Sequence, residues 1–599
     1  MFIPATADEI RKLGWTKLDV ILITGDSYID SPFVGVSVIG RRLLAVGYRV
    51  AIIPQPDIAS GRDITRFGEP ELFWGVTGGC IDSLVANRTA SGKRRRKDDF
   101  TAGGINNRRP DRAVIAYANL IRRHFKETAP VVLGGIEASL RRIAHYDFWS
   151  NRIRRSILTD AKADFLLYGM AENSILHLAA NLRENGDVSE LRGLCYAAAT
   201  PRPGFLELPS WEESTADPAA FEKMFLAFHH NQDSRTARGL CQKQDSRWLI
   251  HNPPAHPLTQ AEMDEVHGMD FVRAVHPCHQ SAGGVRALET IRFSIVTHRG
   301  CYGGCHFCAI AAHEGQTVSM RSEASIVREA ACLTSLSGFK GRILDVGGPT
   351  ANMYGFECKK KLQRGACTNR SCLYPAVCKN LRPDHGLLIA LLRKLRKLPG
   401  IKQAVVASGI RPDLLLADRK NGIPCLREII RHHVSGQMKI APEHSEQKVL
   451  RCMGKPGTES LLAFRDLFRK FTEEAGKEQF LTCYWIAAHP GCEQADMEAL
   501  RRFAVRELAL QPEQVQIFTP TPSTLSTLMY YTGRDFRTGK RLFVEKTTAG
   551  RELQKKILVA KTPGFGYGGR IRQTPKREGK SWEKTRMSKR IPRKNLPKR

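Results

Sequence analysis

Three cysteines stand close together in the middle of the chain. Cys301, Cys305 and Cys308 have the spacing C-x3-C-x2-C, on a stretch that also contains two glycines. The stretch follows the apolar run 291–296, which predicts a strand. Thiolates are soft ligands for iron–sulfur clusters and for zinc, and a short glycine-containing loop lets three of them converge. The spacing therefore predicts a metal centre at the end of a strand.

Three ligands on a four-iron cube leave one iron without a protein ligand. The spacing resembles the radical S-adenosylmethionine (radical SAM) superfamily, in which the methionyl amine and carboxylate of the cofactor occupy that iron. The resemblance implies a 4Fe–4S cluster, S-adenosylmethionine and a 5′-deoxyadenosyl radical. It also places Phe307 near the adenine, since the superfamily usually carries an aromatic residue there. The alternative is structural zinc, with His298, His306 or His313 as its fourth ligand.

Further stretches, each after a predicted strand, resemble superfamily elements that hold the cofactor. Gly347 and Gly348 stand where the superfamily has a Gly-Gly-Glu element; a proline replaces the glutamate, so backbone carbonyls would make the contact. Ser408 and Arg411 can bind ribose hydroxyls and a carboxylate, and Glu443 can bind a sugar or an amine. These last stretches resemble counterparts in tRNA methylthiotransferases. For each residue alone, an ordinary loop contact is the alternative.

A second cysteine group follows the glycine pair, within 21 residues of a basic stretch. Four thiols so close together in a chain without an export signal rarely serve packing alone. They predict a second metal site, either a tetrahedral zinc or an auxiliary iron–sulfur cluster. The four cysteines are Cys358, Cys367, Cys372 and Cys378.

The first 200 residues alternate between short β-branched runs and amphipathic stretches, and several runs end in glycine. This pattern predicts a doubly wound parallel sheet with any ligand at the carboxyl ends of its strands. The stretch 131–139 resembles the cobalamin-binding domain found in front of many radical SAM enzymes. The Asp-x-His-x-x-Gly signature that supplies a cobalt ligand is absent, and Asp26 stands near its place. Cobalamin is therefore one option, and a scaffold without a corrinoid is the other.

From residue 291 to about residue 531, six strand–helix units predict a partial (β/α)6 barrel, the radical SAM fold. Barrels of this kind carry their active residues at the carboxyl ends of the strands. The α/β chain is thus expected to divide into a cobalamin-binding-like domain (1–199), a connecting subdomain (200–286), the radical SAM core (287–560) and a basic disordered tail (561–599).

The formal charge of +32 favours a polyanionic partner such as RNA. Sixteen cysteines without a secretory signal indicate a reducing compartment, so we expect a cytoplasmic protein. No apolar run approaches the roughly 18 residues needed to span a bilayer, and no membrane is expected.

With these features together, the chain resembles the YgiQ family of radical SAM proteins, a bacterial family of unknown substrate. The resemblance covers nearly the whole length, including 297–301, 318–322 and the basic C-terminus. It implies an enzyme that takes electrons from a donor such as flavodoxin or ferredoxin. Modification of RNA is one substrate hypothesis. The alternatives are a non-catalytic metal-binding protein for nucleic acid and a cobalamin-assisted methyltransferase. No catalytic side chain and no oligomeric state are assigned.

Overall fold

The computed structural model describes residues 1–368 and 370–561. Nearly all of the expected basic tail, 562–599, lies outside the described residues. No helix in the described part is long and apolar enough to cross a bilayer.

The N-terminal half contains thirteen strands and eleven α-helices, as well as short 3-10 turns at Ala102–Gly104 and Pro277–Ala282. The strands are β1 (Val20–Thr24), β2 (Ile29–Asp30), β3 (Val50–Pro54), β4 (Phe73–Thr77), β5 (Val131–Gly134), β6 (His145–Asp147), β7 (Arg152–Arg154), β8 (Phe165–Leu167), β9 (Leu194–Ala198), β10 (Leu206–Leu208), β11 (Leu240–Gln244), β12 (Arg247–His251) and β13 (Ala274–Val275). The helices are α1 (Ala7–Lys12), α2 (Gly35–Ala45), α3 (Ser83–Asn87), α4 (Ala113–His124), α5 (Gly135–Leu140), α6 (Ile157–Asp160), α7 (Ser174–Arg183), α8 (Trp211–Ala216), α9 (Pro218–His230), α10 (Gln260–Gly268) and α11 (Ala287–Ile291).

Nine of these strands form one sheet in the order β10-β11-β12-β9-β8-β5-β4-β1-β3. The five strands from β8 to β3 are parallel, with Val20 of β1 paired to Val50 and to Phe73. All five residues of β1 are buried, as expected for a central strand covered on both faces. The predicted doubly wound parallel sheet is confirmed.

The sheet does not stop at residue 200. Strands β10, β11 and β12 lie between residues 206 and 251 and extend the sheet beyond β9. Strand β12 runs antiparallel to both of its neighbours. The stretch 200–286, expected to connect two domains, therefore contributes strands to the N-terminal sheet.

The described residues of the C-terminal half, 294–368 and 370–561, contain nine further strands, eleven α-helices and a 3-10 turn at Ala351–Met353. The strands are β14 (Ser294–Val296), β15 (His298–Arg299), β16 (Ser319–Met320), β17 (Arg342–Ile343), β18 (Asp345–Gly347), β19 (Gln403–Ala404), β20 (Gln437–Glu443), β21 (Phe480–Ala487) and β22 (Val515–Ile517). The helices are α12 (Ile310–His313), α13 (Glu323–Thr334), α14 (Lys359–Arg364), α15 (Gly386–Arg396), α16 (Pro412–Ala417), α17 (Gly422–His432), α18 (Gln447–Met453), α19 (Glu459–Glu474), α20 (Gln494–Arg506), α21 (Leu525–Thr532) and α22 (Thr548–Val559).

The parallel pairs of this half follow the chain order. Strand β14 pairs with β18, β17 pairs with β19, and β20, β21 and β22 form one sheet. A parallel bridge between Ile410 and Ile440 connects the segment after β19 to β20. Helices such as α19 bury one apolar face, with Leu461, Phe464 and Phe468 at helical spacing. This arrangement agrees with the expected six strand–helix units, except that residue 291 ends a helix and β14 begins only at Ser294.

Gly25, directly after β1, is packed too closely for a side chain. A Cβ atom there would lie 2.2 Å from the carbonyl oxygen of Gly78. We predict that Gly25→Ala lowers the free energy of unfolding by about 1–3 kcal/mol, because backbone must move to make room. Thermal unfolding followed by circular dichroism measures the effect. Gly268→Ala at the end of α10, where a Cβ meets nothing within 4 Å, is the control. Equal midpoints for the two variants would contradict the prediction.

Candidate functional site

The three cysteines expected to bind a metal lie on a loop after β14 and β15. Backbone hydrogen bonds hold this loop at two points: the N–H of Cys301 donates to the Gly315 carbonyl (3.2 Å), and the N–H of His306 donates to the Met453 carbonyl (2.9 Å). The second bond ties the loop to the end of α18. The path of the loop is therefore fixed by the rest of the barrel.

Two of the three thiols, those of Cys301 and Cys305, lie beside Gly303. The N–H of Gly303 donates to the Cys301 sulfur at 3.4 Å. A Cβ atom on Gly303 would lie 3.1 Å from the sulfur of Cys301 and 3.8 Å from that of Cys305. All three thiols are half-buried. The missing side chain of Gly303 thus leaves room beside two of the three sulfurs.

Burial favours the protonated form of two of these thiols, Cys301 and Cys308. Burial raises the pKa of Cys301, and the neighbouring Cys305 raises it further. Burial and then Cys305 raise the pKa of Cys308 to about 12. The thiolate is the form of cysteine that binds metal, so these thiols must lose their protons when a metal binds. The positive charge of the metal then takes the place of the protons. A metal cluster supplies that charge, so the donor set fits one.

The three histidines weighed as a fourth zinc ligand are oriented by other contacts. Among residues 1–368 and 370–561, no three His, Cys, Asp or Glu side chains converge as the ligands of one metal ion do. Thiolates on an iron–sulfur cube bind different irons and stand further apart than ligands of one ion. The three histidines considered as a fourth ligand each bond elsewhere through Nδ1: His298 to the Thr297 hydroxyl (2.8 Å), His306 to the Cys452 carbonyl (2.9 Å) and His313 to the Ser139 hydroxyl (3.0 Å).

Arg411, before α16, directs its charge at the cysteine loop. Its Nη1 donates to the Cys305 sulfur at 3.7 Å, and its Nε donates to the Asp413 carboxylate at 3.0 Å. The side-chain oxygen of Asn352 accepts from the Arg411 backbone N–H at 2.9 Å. Burial acts to lower the pKa of Arg411, but Asp413 and the cysteine thiols outweigh it and raise that pKa. Arg411 is therefore a fixed positive charge beside the thiols.

Asp345, the first residue of β18, joins this strand to the segment that follows β19. One carboxylate oxygen accepts from the backbone N–H groups of Ala407 (2.8 Å) and Ser408 (3.0 Å), and the other accepts from the Ser408 hydroxyl. A Cβ on Gly347 would lie 2.6 Å from the Ser408 hydroxyl oxygen. Asp345 was not singled out from the sequence, although an acidic residue inside an apolar strand was a signal that could have identified it.

The glycine pair is constrained by the strand beside it. The Gly347 carbonyl accepts from the Thr297 N–H (2.8 Å) and from its hydroxyl (3.2 Å), so it is already used within the barrel. A Cβ on Gly348 would lie 2.7 Å from the ring of His298. Burial lowers the pKa of His298 to about 4, which keeps the ring neutral near pH 7. The carbonyls of Gly347 and Gly348 were both expected to contact the cofactor. Since the Gly347 carbonyl is already bonded, we expect the contact from the Gly348 carbonyl.

Glu443, at the end of β20, is buried in a strained backbone conformation. Its φ is +69°, in the left-handed region that residues other than glycine seldom adopt. Burial raises the pKa of the carboxyl, while the Lys455 ammonium, 3.6 Å away, lowers it. Glu443 is also close enough to Cys308 to raise the pKa of that thiol. The structure thus brings Glu443 to the cysteine loop.

Phe307 packs on the barrel side of the cysteine loop. Its ring meets that of His489 edge to face, with centroids 6.3 Å apart. His489 is fully buried and is held by the Ser526 hydroxyl (2.7 Å) and by the Pro490 carbonyl (2.9 Å). A pair of aromatic rings therefore stands next to Cys308. The position of Phe307 near an adenine stays a prediction, and His489 was not predicted.

A cavity of about 470 Å³ lies between the N-terminal parallel sheet and the strands of the barrel. The N-terminal sheet contributes its carboxyl end, including Thr24, Thr77 and Gly134, and the barrel contributes Gly348 and Ser408. Its lining is mainly apolar. Ligand cavities of this size occur at the carboxyl ends of parallel strands.

Buried charges face this cavity as well. Arg299 pairs with Glu172, and the second carboxylate oxygen of Glu172 has no hydrogen-bond partner among the described residues. Burial raises the pKa of Glu314, whose carboxyl accepts from the Gly300 N–H at 2.9 Å. Glu172 and Arg299 were missed from the sequence, because their pairing depends on how the two halves of the chain meet.

The second cysteine group also comes together. Cys358, Cys367, Cys372 and Cys378 line one small cavity of about 20 Å³, next to the first cysteine loop. Burial raises the pKa of Cys372 to about 11.

We predict that Gly303→Ala reduces the iron bound after anaerobic reconstitution severalfold, because its methyl group would fill the space beside the Cys301 and Cys305 sulfurs. Iron and sulfide analysis of the purified protein measures the loss. Gly409→Ala is the matched control, since a Cβ there meets nothing within 4 Å and the residue adjoins Ser408. Full iron content in Gly303→Ala would show that the space is not needed.

Comparison with known proteins shows the family. Residues 2–294 match the family model described as Radical SAM N-terminal. A UPF0313 protein of Fusobacterium nucleatum is 53% identical over 561 residues, covering 94% of this chain and 99% of the relative. A UPF0313 protein of Thermotoga neapolitana is 46% identical over 567 residues, covering 94% and 99%.

Two solved structures are similar at low sequence identity. The radical S-adenosylmethionine methyltransferase TsrM from Kitasatospora setae is 15% identical, with a TM-score of 0.47 over 86% of this chain and 76% of that one. The cobalamin-dependent S-adenosylmethionine radical enzyme OxsB is 12% identical, with a TM-score of 0.48 over 88% and 57%. From the sequence relatives and the family model, the chain belongs to the UPF0313 family, the YgiQ family of radical SAM proteins.

Proposed function

We propose that this radical SAM enzyme holds a 4Fe–4S cluster on Cys301, Cys305 and Cys308 and acts on a small, largely apolar substrate. The observation that carries the proposal is the placement of the Cys301 and Cys305 sulfurs beside Gly303, with Cys308 on the same short loop. Ile310 and His313, which follow this loop directly, line the cavity at the carboxyl ends of the strands. When bound, the cluster supplies an electron and an open iron for cleavage of S-adenosylmethionine to a 5′-deoxyadenosyl radical that removes a hydrogen atom from the substrate.

The residues around the thiols provide charge and space. Arg411 offsets the negative charge of the thiolates, and Asp413 holds its guanidinium in place. Gly303 leaves the volume that the cluster requires. Phe307 and His489 form an apolar wall that limits the access of water.

The cofactor is proposed to lie along the strand ends. The Gly348 carbonyl and the Ser408 hydroxyl line the cavity, and both can accept hydrogen bonds from an amine or a ribose hydroxyl. The buried carboxyl of Glu443 is a further acceptor on the side of Cys308. Asp345 positions Ser408 and is not itself proposed as a ligand.

The lining of the cavity favours a small substrate over RNA. The whole chain carries a formal charge of +32, yet the described residues around this cavity include four carboxyl groups and one guanidinium. Phosphates require unpaired cations, and Arg299 is paired with Glu172. An apolar molecule with a hydrogen-bond donor or amine suits the unpartnered oxygen of Glu172 better.

The proposed reaction does not use a corrinoid. Asp26, near the place of the cobalt-ligand signature, accepts from the Cys80 N–H (2.7 Å) and forms an ion pair with Arg109 (2.7 Å). Its carboxylate is thus committed within the N-terminal sheet. A corrinoid retained by the purified full-length protein would contradict this part of the proposal.

Electrons are proposed to come from an acidic one-electron donor protein such as a flavodoxin or a ferredoxin. A second cavity, of about 510 Å³, is lined by Cys305 and Cys308 together with five basic side chains. Arg299, Lys361 and Arg537 are each paired with a carboxylate. Arg142 is fully buried, so among the described cations of this cavity Arg370 is the one left to attract an acidic partner. The basic side chains are Arg142, Arg299, Lys361, Arg370 and Arg537.

Oxygen-free, reconstituted wild-type protein with dithionite is expected to convert S-adenosylmethionine to 5′-deoxyadenosine. Cys305→Ala is expected to form no product above background, because the cluster loses a ligand. The exposed Cys332→Ala on α13 is the control and should match wild type. Absence of the product from wild-type protein with a spectroscopically verified cluster would reject the proposal.

The substrate class can be tested with deuterium. Small-molecule and RNA fractions are prepared from cells grown in deuterated medium, and each is added to the reaction. We expect the small-molecule fraction to place deuterium in 5′-deoxyadenosine, detected by mass spectrometry, because the radical takes its hydrogen from the substrate. Deuterium transfer only from the RNA fraction would overturn the assignment of a small substrate.

A further inference from the structure

We propose that Cys358, Cys367, Cys372 and Cys378 hold a second iron–sulfur cluster, placed to deliver electrons to the first. This inference rests on the proposed function of Cys301, Cys305 and Cys308. It assigns the second cysteine group an electron-transfer role in place of a structural zinc.

All four thiols line one cavity at the start of α14. Cys358 precedes α14 and is 6% exposed, while Cys367 stands at the solvent side. The Cys378 N–H donates to the Cys372 carbonyl at 2.8 Å, which closes the loop between these two cysteines. Lys360, Lys361 and Arg370 share the cavity wall. These cations offset the negative charge that metal-bound thiolates would carry.

The position of this group beside the first cysteine loop favours a cluster over a single zinc ion. Cys372 and Cys378 pack against the same apolar cluster as Cys301, so a redox centre held here would stand next to the first one. Four cysteines also satisfy every ligand position of such a cluster, which leaves no open iron for a substrate. Electron transfer is the chemistry that remains.

The two cysteine groups are in direct packing contact. The side chains of Tyr302, Cys358 and Leu373 belong to one apolar cluster, and Cys301, Cys372 and Cys378 pack against it. The Ser371 hydroxyl donates to the Gly303 carbonyl at 3.4 Å. A Cβ on Gly304 would lie 2.9 Å from the Ser371 hydroxyl oxygen.

Tyr302 fills the space between the groups, and its ring is covered by the Lys361 ammonium 5.2 Å from the ring centre. Its hydroxyl has no hydrogen-bond partner among the described residues. Cys305, Cys308, Cys367 and Cys372 all reach the basic cavity of about 510 Å³. An electron that enters at the exposed Cys367 side therefore has a continuous packed path to the first cysteine loop.

The electron balance is simple. A reduced flavodoxin or ferredoxin gives one electron to the second cluster and is oxidised. The second cluster passes that electron to the first and returns to its oxidised state. No bond forms or breaks, and no proton moves, at the second site.

Metal analysis tests the second cluster. After anaerobic reconstitution we expect about four iron atoms at the first site and a further two to four at the second. Cys372→Ser with Cys378→Ser should lose only the second set, and a triple Cys301, Cys305, Cys308→Ala variant should keep it. Cys278→Ala with Cys332→Ala, two exposed thiols outside both groups, is the control. Zinc at the second site, or wild-type iron in the double serine variant, would overturn the proposal.

The electron-transfer role has a separate readout. S-adenosylmethionine cleavage is measured with dithionite and with reduced flavodoxin or ferredoxin. The ratio of protein-driven to dithionite-driven cleavage should fall severalfold in the double serine variant, with the electron paramagnetic resonance signal of the first cluster as the folding check. An unchanged ratio would overturn the role. Failure of wild type to cleave with dithionite would instead reject the proposed function, whatever the metal content of the second site.

Discussion

The N-terminal parallel sheet and the barrel strands both end at the same cavity. The rest of the site depends on this meeting of the two sets of strand ends. The carboxyl end of the N-terminal sheet faces the carboxyl ends of the barrel strands across about 470 Å³. Side chains that lie far apart in the sequence, such as Glu172 and Arg299, become partners because of it. Neighbouring segments pack closely at these strand ends, so Gly25, Gly347 and Gly348 have no room for a side chain. The cysteine loop after β14 can then stand beside the cavity on a fixed path.

Features with a local cause could be predicted from the sequence. Strand β1 follows from a run of buried β-branched residues, and the cysteine spacing alone indicates a metal centre. The position of Arg411 near that centre follows from the rule that barrel residues after parallel strands converge. The family match confirms the resemblance that these motifs carry, and the sheet confirms the fold class.

Features set by distant contacts could not be predicted. The short strands β10 to β12 extend the N-terminal sheet because β9 offers them an edge, which no local pattern between residues 206 and 251 shows. The Gly347 carbonyl is occupied by Thr297, a pairing that depends on which strands are neighbours. The acidic lining of the cavity is opposite in sign to the chain as a whole, so net charge alone pointed towards RNA.

Glu443 shows how little sequence freedom the strand ends allow. Its φ of +69° is a conformation that glycine and asparagine adopt at small cost, whereas a β-branched residue would be strained by roughly 1–3 kcal/mol. Glycine and asparagine suit this backbone but lack the carboxylate, and aspartate, which also tolerates it, has a shorter side chain. The backbone conformation at this position thus favours small residues, whereas the side-chain chemistry requires a long carboxylate. If all twenty amino acids were tried at residue 443, we expect few of them to be recovered in active clones.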